Sequence, residues 1–143
     1  MKLVTEMIPV DTEAGYDAVD ITDKVERLVG ASHLDIGSVC VFVPGSTAGL
    51  TTIEYEPGLV SDLRDLFDRV SPTDMEYAHN ERWHDGNGHS HVRAALMGPS
   101  LVVPFIKGRL TLGQWQQIVL FDFDVRQRHR DLICQVWGAG EKE

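Results

Sequence analysis

Short apolar runs with a period of two alternate along this chain with longer stretches in which apolar residues recur at helical spacing. Leu3 to Val10 alternates loosely and ends at Pro9-Val10-Asp11, predicting a first strand. Tyr16 to Ile21 predicts a short returning strand after the turn-like segment Asp11 to Gly15. Thr22 is a suitable N-cap, and Val25, Leu28 and Val29 fall at helical spacing before Gly30, so a short helix follows. The run from Val39 to Val43 predicts a buried strand, and Leu50 to Glu56 another. Pro57 then fits the first position of a helix whose face is Leu59, Leu63, Leu66, Phe67 and Val70, closed by Ser71-Pro72.

Further along, Val92 to Met97 predicts a short helix stopped by Gly98-Pro99. Leu101 to Ile106 is a strand, and Lys107-Gly108 makes a tight hairpin into Arg109 to Leu112. Trp115 to Asp124 is a strand buried on at least one face, Gln127 to Arg130 a polar turn, and Asp131 to Trp137 the last strand. These elements predict one α+β domain over residues 1–143, with mostly antiparallel, sandwich-like β-sheets and two or three inserted helices.

Composition narrows the partners more than the fold. Thirteen basic against 22 acidic residues give a formal charge of −9, unlike the basic footprint of a nucleic-acid or membrane-surface binder. An anionic substrate in a locally positive site remains compatible. Met1 to Glu6 has no signal-peptide character and no apolar run approaches membrane-spanning length, so the expectation is a soluble cytoplasmic protein. Cys40 and Cys134 lie in apolar runs and are expected to be buried, reduced core thiols.

The chemistry concentrates between Tyr77 and His91, which holds four of the six histidines. Asn80, Asp85, Gly86, Asn87 and Gly88 favour turns, so the stretch is expected to be an ordered loop presenting imidazoles. His79, His84, His89 and His91 are candidate metal ligands, with Asp85 or Glu54 suited to a harder ion; a polar loop of solvated histidines is the plain alternative. Glu54 and Glu56 share one face of a predicted strand, and a carboxylate there is paired, metal-bound or protonated if that face is buried, and simply solvated if it is an edge. Ser46 and Thr47, between Gly45 and Gly49, could form an anion nest, although an ordinary connecting turn is the simpler reading. Arg93 is a possible phosphate contact or a solvated charge, Trp115 a pocket wall or a core residue, and His33 and His129 are expected in solvated turns.

Several of these motifs occur in order along nearly the whole chain. Pro44-Gly45-Ser46-Thr47-Ala48-Gly49, Glu54, Gly86-Asn87-Gly88-His89-Ser90-His91, Leu96 to Leu101 and Gly108 to Gln117 together resemble the YjbQ-like family. The resemblance implies secondary thiamine-phosphate synthase activity, which joins a pyrimidine diphosphate to a thiazole phosphate. It also implies a homotrimer and a divalent metal ion such as Zn or Mg. Glu54, His79 and His91 match the family's polar site. The chain departs from the family pattern at Gly45-Ser46-Thr47-Ala48, where the family carries a His-Thr-Thr/Ser-Ala run, and His89 stands where relatives have an apolar residue. On this reading His79, His89 and His91 hold the metal, and Glu54, Asp85 and His91 are catalytic. Ser46, Thr47, Asn87, Arg93 and Trp115 contact a small phosphorylated substrate. Metal-dependent phosphoester hydrolysis and a non-catalytic, metal-stabilised trimer are the alternatives, and His84 is the weakest of the four imidazoles.

Overall fold

A computed structural model describes residues 1–141; the last two residues of the predicted domain lie outside the described range. Eight strands and four helices follow one another as β1 (Lys2–Thr12), β2 (Asp17–Asp20), α1 (Thr22–Ala31), β3 (Leu34–Phe42), β4 (Ala48–Ile53), α2 (Pro57–Val70), α3 (Ala78–Trp83), α4 (Gly88–Met97), β5 (Ser100–Ile106), β6 (Arg109–Leu110), β7 (Gln117–Asp122) and β8 (Arg128–Glu141). Five strands form one antiparallel sheet in the order β1-β8-β3-β5-β6, and three form a second in the order β2-β7-β4. The α+β class with largely antiparallel sheets is as the sequence predicts.

Burial explains the layering. Ile118 and Leu120 of β7 join Val39 and Val41 of β3, Leu132 and Cys134 of β8 and Val25 and Val29 of α1 in a core between the sheets. Val119, Phe121 and Phe123 point the other way, into a second core with Phe67 of α2 and Ala94 of α4. β7 is therefore buried on both faces, which is why its run is continuously apolar instead of alternating. Phe67 and Phe123 meet edge-on with ring centroids 4.9 Å apart, a favoured aromatic geometry.

Local signals set several boundaries. Pro57 opens α2 as predicted, and the Glu56 carboxylate caps it by accepting from the Gly58 and Leu59 N–H groups. Thr22 opens α1 from inside the helix, because Asp20 accepts from its N–H at 2.9 Å while its hydroxyl accepts from the Ile118 N–H. Two predicted strands are shorter than expected. The stretch from Leu50 ends as a strand at Ile53, leaving Glu54 to Glu56 outside, and the one from Trp115 begins at Gln117. The predicted turn over Gln127 to Arg130 is instead the start of β8, because Arg128 and Arg130 are drawn inward by buried carboxylates. Cys134 is buried, with burial pushing its thiol up to about 11, whereas Cys40 is only half-buried, which corrects the expectation for that thiol.

β3 and β8 approach so closely at Gly37 that an added Cβ would lie 2.0 Å from the Trp137 carbonyl oxygen and 2.7 Å from the Gly138 Cα. Gly37→Ala is therefore expected to lower stability by about 2–3 kcal/mol through overpacking. Gly30→Ala, in open space on α1, should raise it by about 0.5–1 kcal/mol. Chemical denaturation of both variants, read as midpoint shifts of opposite sign, checks the pair.

Candidate functional site

The histidine-rich stretch is not the single loop predicted. Ala78–Trp83 forms α3 and Gly88–Met97 forms α4, with only the residues between them in a turn. His84 takes a left-handed conformation (φ 56°) as the C-cap of α3, its N–H donating to the Asn80 carbonyl. The Asn80 side chain accepts from the Gly88 N–H at 2.8 Å, and the buried Tyr77 hydroxyl donates to the Pro72 carbonyl at 2.7 Å. Tyr77 and Asn80 thus pin both ends of the corner that the Asn and Gly residues only suggested.

Helical geometry then divides the histidines. Residues two apart on an α-helix point about 200° apart, so His89 and His91 leave opposite sides of α4. His91 is half-buried and packs against His79 of α3, ring centroids 4.3 Å apart and ring planes tilted by 43°. Asp85 lies 3.5 Å from His79 Nδ1, and the Asn87 amide donates to both Asp85 carboxylate oxygens at 2.8 and 3.1 Å. His89 turns inward, 4% exposed, towards Tyr77. Its Nε2 lies 3.4 Å from the Ser90 hydroxyl, which donates to the Phe123 carbonyl, and its buried Nδ1 has no partner. Burial, reinforced by the nearby Arg93 guanidinium, pushes the His89 pKa below its ordinary value.

The structure does not bring His79, His89 and His91 together as one ligand set. Among the described residues no three His, Cys, Asp or Glu side chains come together in a group that could hold an ion. Glu54 is exposed beyond the end of β4, joined to none of the histidines by a hydrogen bond or ion pair among the described residues. Arg93 is 2% exposed and holds α4 to α2, donating to the Ser71 carbonyl and to Asp68, both at 3.0 Å. Trp115 is 65% exposed and stands outside the cleft that His91 lines. His33 is exposed as expected, and exposed His129 is raised in pKa by its hydrogen bonds to Asp11 and Asp131.

What the structure does bring together is His91 and the turn after β3. A cleft of about 360 Å³ is lined by Gly45, Ser46 and His91, with Ala48, Ala94, Ala95 and Pro99 completing its walls. Ser46 is exposed there, while Thr47 faces inward and donates to Asp124 at 2.8 Å. Beneath the turn lies a network that the sequence reading missed. Arg130 donates to Asp122 through Nε (2.8 Å) and Nη2 (3.1 Å), and to the Thr47 hydroxyl at 2.7 Å. Thr12 donates to Asp122 at 2.6 Å, and Arg128 to Asp124 at 3.1 Å. Burial pushes the Asp124 carboxyl up, but hydrogen bonds from Thr47, the Arg126 N–H and Arg128 outweigh it and hold the pKa below its ordinary value. Gly45 has φ +122°, and a Cβ there would come within 2.7 Å of Arg130 Nη1, so the turn lies directly on the guanidinium. The sequence signal for this network is the alternation of Asp122 with Asp124 and of Arg128 with Arg130.

The fold and site define a helix-backed, two-sheet α+β domain with a pair of packed imidazoles at the edge of a small cleft. The chain belongs to the UPF0047 protein YjbQ-like family, whose sequence profile matches residues 6–139. A UPF0047 protein of Archaeoglobus fulgidus is 34% identical over 126 residues, 88% of this chain and 96% of the relative. One from Mycobacterium tuberculosis is 41% identical over 120 residues, 84% of this chain and 87% of the relative. The crystal structure of a YbjQ-like protein of unknown function from Sulfolobus solfataricus superposes with a TM-score of 0.91 at 32% identity, covering 96% of this chain and 99% of that one. A hypothetical protein from Aeropyrum pernix gives 0.86 at 30% identity, covering 97% and 100%. No helix among the described residues is long and apolar enough to cross a membrane.

The depressed pKa of His89 has a definite sign in stability. The unfolded chain takes up a proton at this residue more readily than the folded one, so stability is fully present above the unfolded value of about 6.5. It is lost as pH falls from there through the lower folded pKa. His89→Gln should remove this component. The difference between wild-type and variant unfolding free energies, measured from pH 8 to pH 5, is expected to narrow on the acid side.

Proposed function

We propose that this protein is an enzyme acting on small phosphorylated substrates, with His91 and His79 as its proton-transfer pair. The observation that carries this reading is the tilted His79–His91 ring contact at 4.3 Å beside a cleft whose other wall is the Gly45-Ser46 turn. Asp85 and Asn87 orient His79, as a carboxylate orients a catalytic imidazole elsewhere. The Ser46 hydroxyl and the backbone of its turn supply donors for a phosphate group. A divalent ion, when bound, would neutralise charge on the phosphate groups, and the roles assigned below are those of the chain's own side chains.

The specific reaction proposed is of the thiamine-phosphate synthase type. The bond from the pyrimidine methylene carbon to the diphosphate oxygen breaks, and its electron pair leaves with the diphosphate. The thiazole nitrogen lone pair forms the new carbon–nitrogen bond, leaving that nitrogen cationic in the product. A proton from His91 neutralises charge on the departing oxygen. One feature favours a second reading: Ala48, Ala94, Ala95 and Pro99 make small walls with no aromatic face for a pyrimidine ring. Such a cleft also suits hydrolysis of a compact phosphoester, with water activated by the imidazole pair.

Incubation of the purified protein with both thiamine precursors, and separately with a phosphoester panel, each with and without divalent ions, tests the two. Thiamine phosphate supports the first reading and phosphate release alone the second; neither product under any condition would sink both. On whichever substrate turns over, His91→Ala is expected to lower kcat by roughly 10²–10⁴-fold, the range for loss of an acid–base group. His84→Ala, at the exposed C-cap of α3, should leave it within a few-fold.

A further inference from the structure

The turn joining β3 to β4 carries more hydrogen-bond donors than the chain satisfies. The consecutive backbone N–H groups of Gly45, Ser46 and Thr47 have no acceptor among the described residues. Most buried backbone donors in folded proteins are paired, and Thr47 is only 5% exposed. Ser46, exposed beside them, adds a hydroxyl.

The guanidinium beneath the turn has a similar free end. Arg130 Nε and Nη2 donate to Asp122, and Nη2 also to the Thr47 hydroxyl. Nη1 donates to no acceptor among the described residues, and a Cβ on Gly45 would come within 2.7 Å of it. The two-point grip of Asp122 fixes the plane of the guanidinium, so Nη1 is held against the turn instead of being free to swing.

We propose that Arg130 Nη1, the Ser46 hydroxyl and the amides of Gly45 to Thr47 form a subsite for one phosphate group of the substrate, with Arg130 as its specificity-determining residue. This rests on the reading of the adjoining cleft as a site for phosphorylated substrates. Every group offered is a donor, so the ligand must be an acceptor. Successive backbone N–H groups in such a turn form an anion-binding concavity. Three amides, a hydroxyl and a guanidinium nitrogen exceed the roughly four lone-pair sites of a carboxylate. They suit the three acceptor oxygens of a phosphate. Net charge does little here, because Asp122 and Asp124 offset Arg130 and Arg128. Recognition therefore depends on directed donors, which the planar fork of arginine supplies and the ammonium of lysine does not.

Titration of isotope-labelled protein with inorganic phosphate, followed by amide NMR and calorimetry, tests this without reference to turnover. One phosphate per chain should bind, with the largest shifts at the amides of residues 45–47 and at Arg130 Nε–H. Arg130→Lys should weaken binding by roughly tenfold or more, the loss expected of a charge-assisted hydrogen bond, and Ser46→Ala by roughly threefold. Acetate should bind at least roughly tenfold more weakly than phosphate, having fewer acceptor sites. Arg109→Gln, which removes the same charge from an exposed side chain elsewhere, should leave the affinity within about twofold. Circular dichroism establishes that each variant is folded, and the shift pattern of the wild type decides the matter if Arg130→Lys is not. Absence of saturable binding, shifts centred away from the turn, or unchanged affinity in folded Arg130→Lys overturns the proposal. Phosphate bound at the turn with no substrate turned over sinks the enzymatic reading and leaves the subsite. Turnover with phosphate affinity untouched by Arg130→Lys does the reverse.

Discussion

Two carboxylates, Asp122 and Asp124, are almost completely withdrawn from water at the end of β7, and the arrangement around them follows from that. An ionised carboxylate in such a place must be paired and hydrogen-bonded, because leaving one unpaired costs several kcal/mol. Here the partners come from three directions: Thr12 at the end of β1, Thr47 in the turn after β3, and Arg128 and Arg130 at the start of β8. The network thereby ties both sheets together at one corner. It also fixes where the Gly45-Ser46 turn lies, since that turn rests on the Arg130 guanidinium. Truncating Arg130 would leave Asp122 without its main counter-charge, so this pair is better described as a constraint on geometry than as a source of stability.

The second half of the site depends on packing rather than charge. β7, buried on both sides, carries α2 and α4 on its outer face through Phe121, Phe123, Phe67 and Ala94. Arg93, which stacks near Phe67 and bonds to Asp68, holds α4 in place. α3 has no buried residue of its own, and its attachment rests on Tyr77, Asn80, the Asp85 contact and the tilted His79–His91 ring contact. Segments with few buried contacts open at lower free energy than the core. His79 is thus carried by a less firmly held element than His91, which suits a cleft that must admit and release a ligand.

Much of the frame was legible because its signals are local. Pro57 with its following apolar face, the Lys107-Gly108 hairpin and the unbroken apolar run of β7 each read correctly within a short window. The failures share a cause: they turn on particular side-chain partners, which periodicity and turn propensity do not reveal. Ala78 to Trp83 looks like part of a turn because Asn, Asp and Gly surround it, yet Tyr77 and Asn80 supply the contacts that make it a helix. Arg128 and Arg130 look solvated until the buried carboxylates of Asp124 and Asp122, close in sequence, accept from them. Arg93 misled in the opposite direction, being a plausible phosphate contact by type and a buried structural group in fact. The family resemblance identified the fold and pointed to His79 and His91, which lie side by side, but helical phase decided that His89 belongs to the core.

One rule runs through the charged groups of this fold. Towards the core, charge that is withdrawn from water is retained only where an opposite charge and hydrogen bonds enclose it, as at Asp122 and Asp124. Away from the core, Asp11, His129 and Asp131 stay in water on the outward face of β1 and β8, where their pairing needs no enclosure. The surroundings of each charged residue, more than its own type, decide which of these two arrangements it takes.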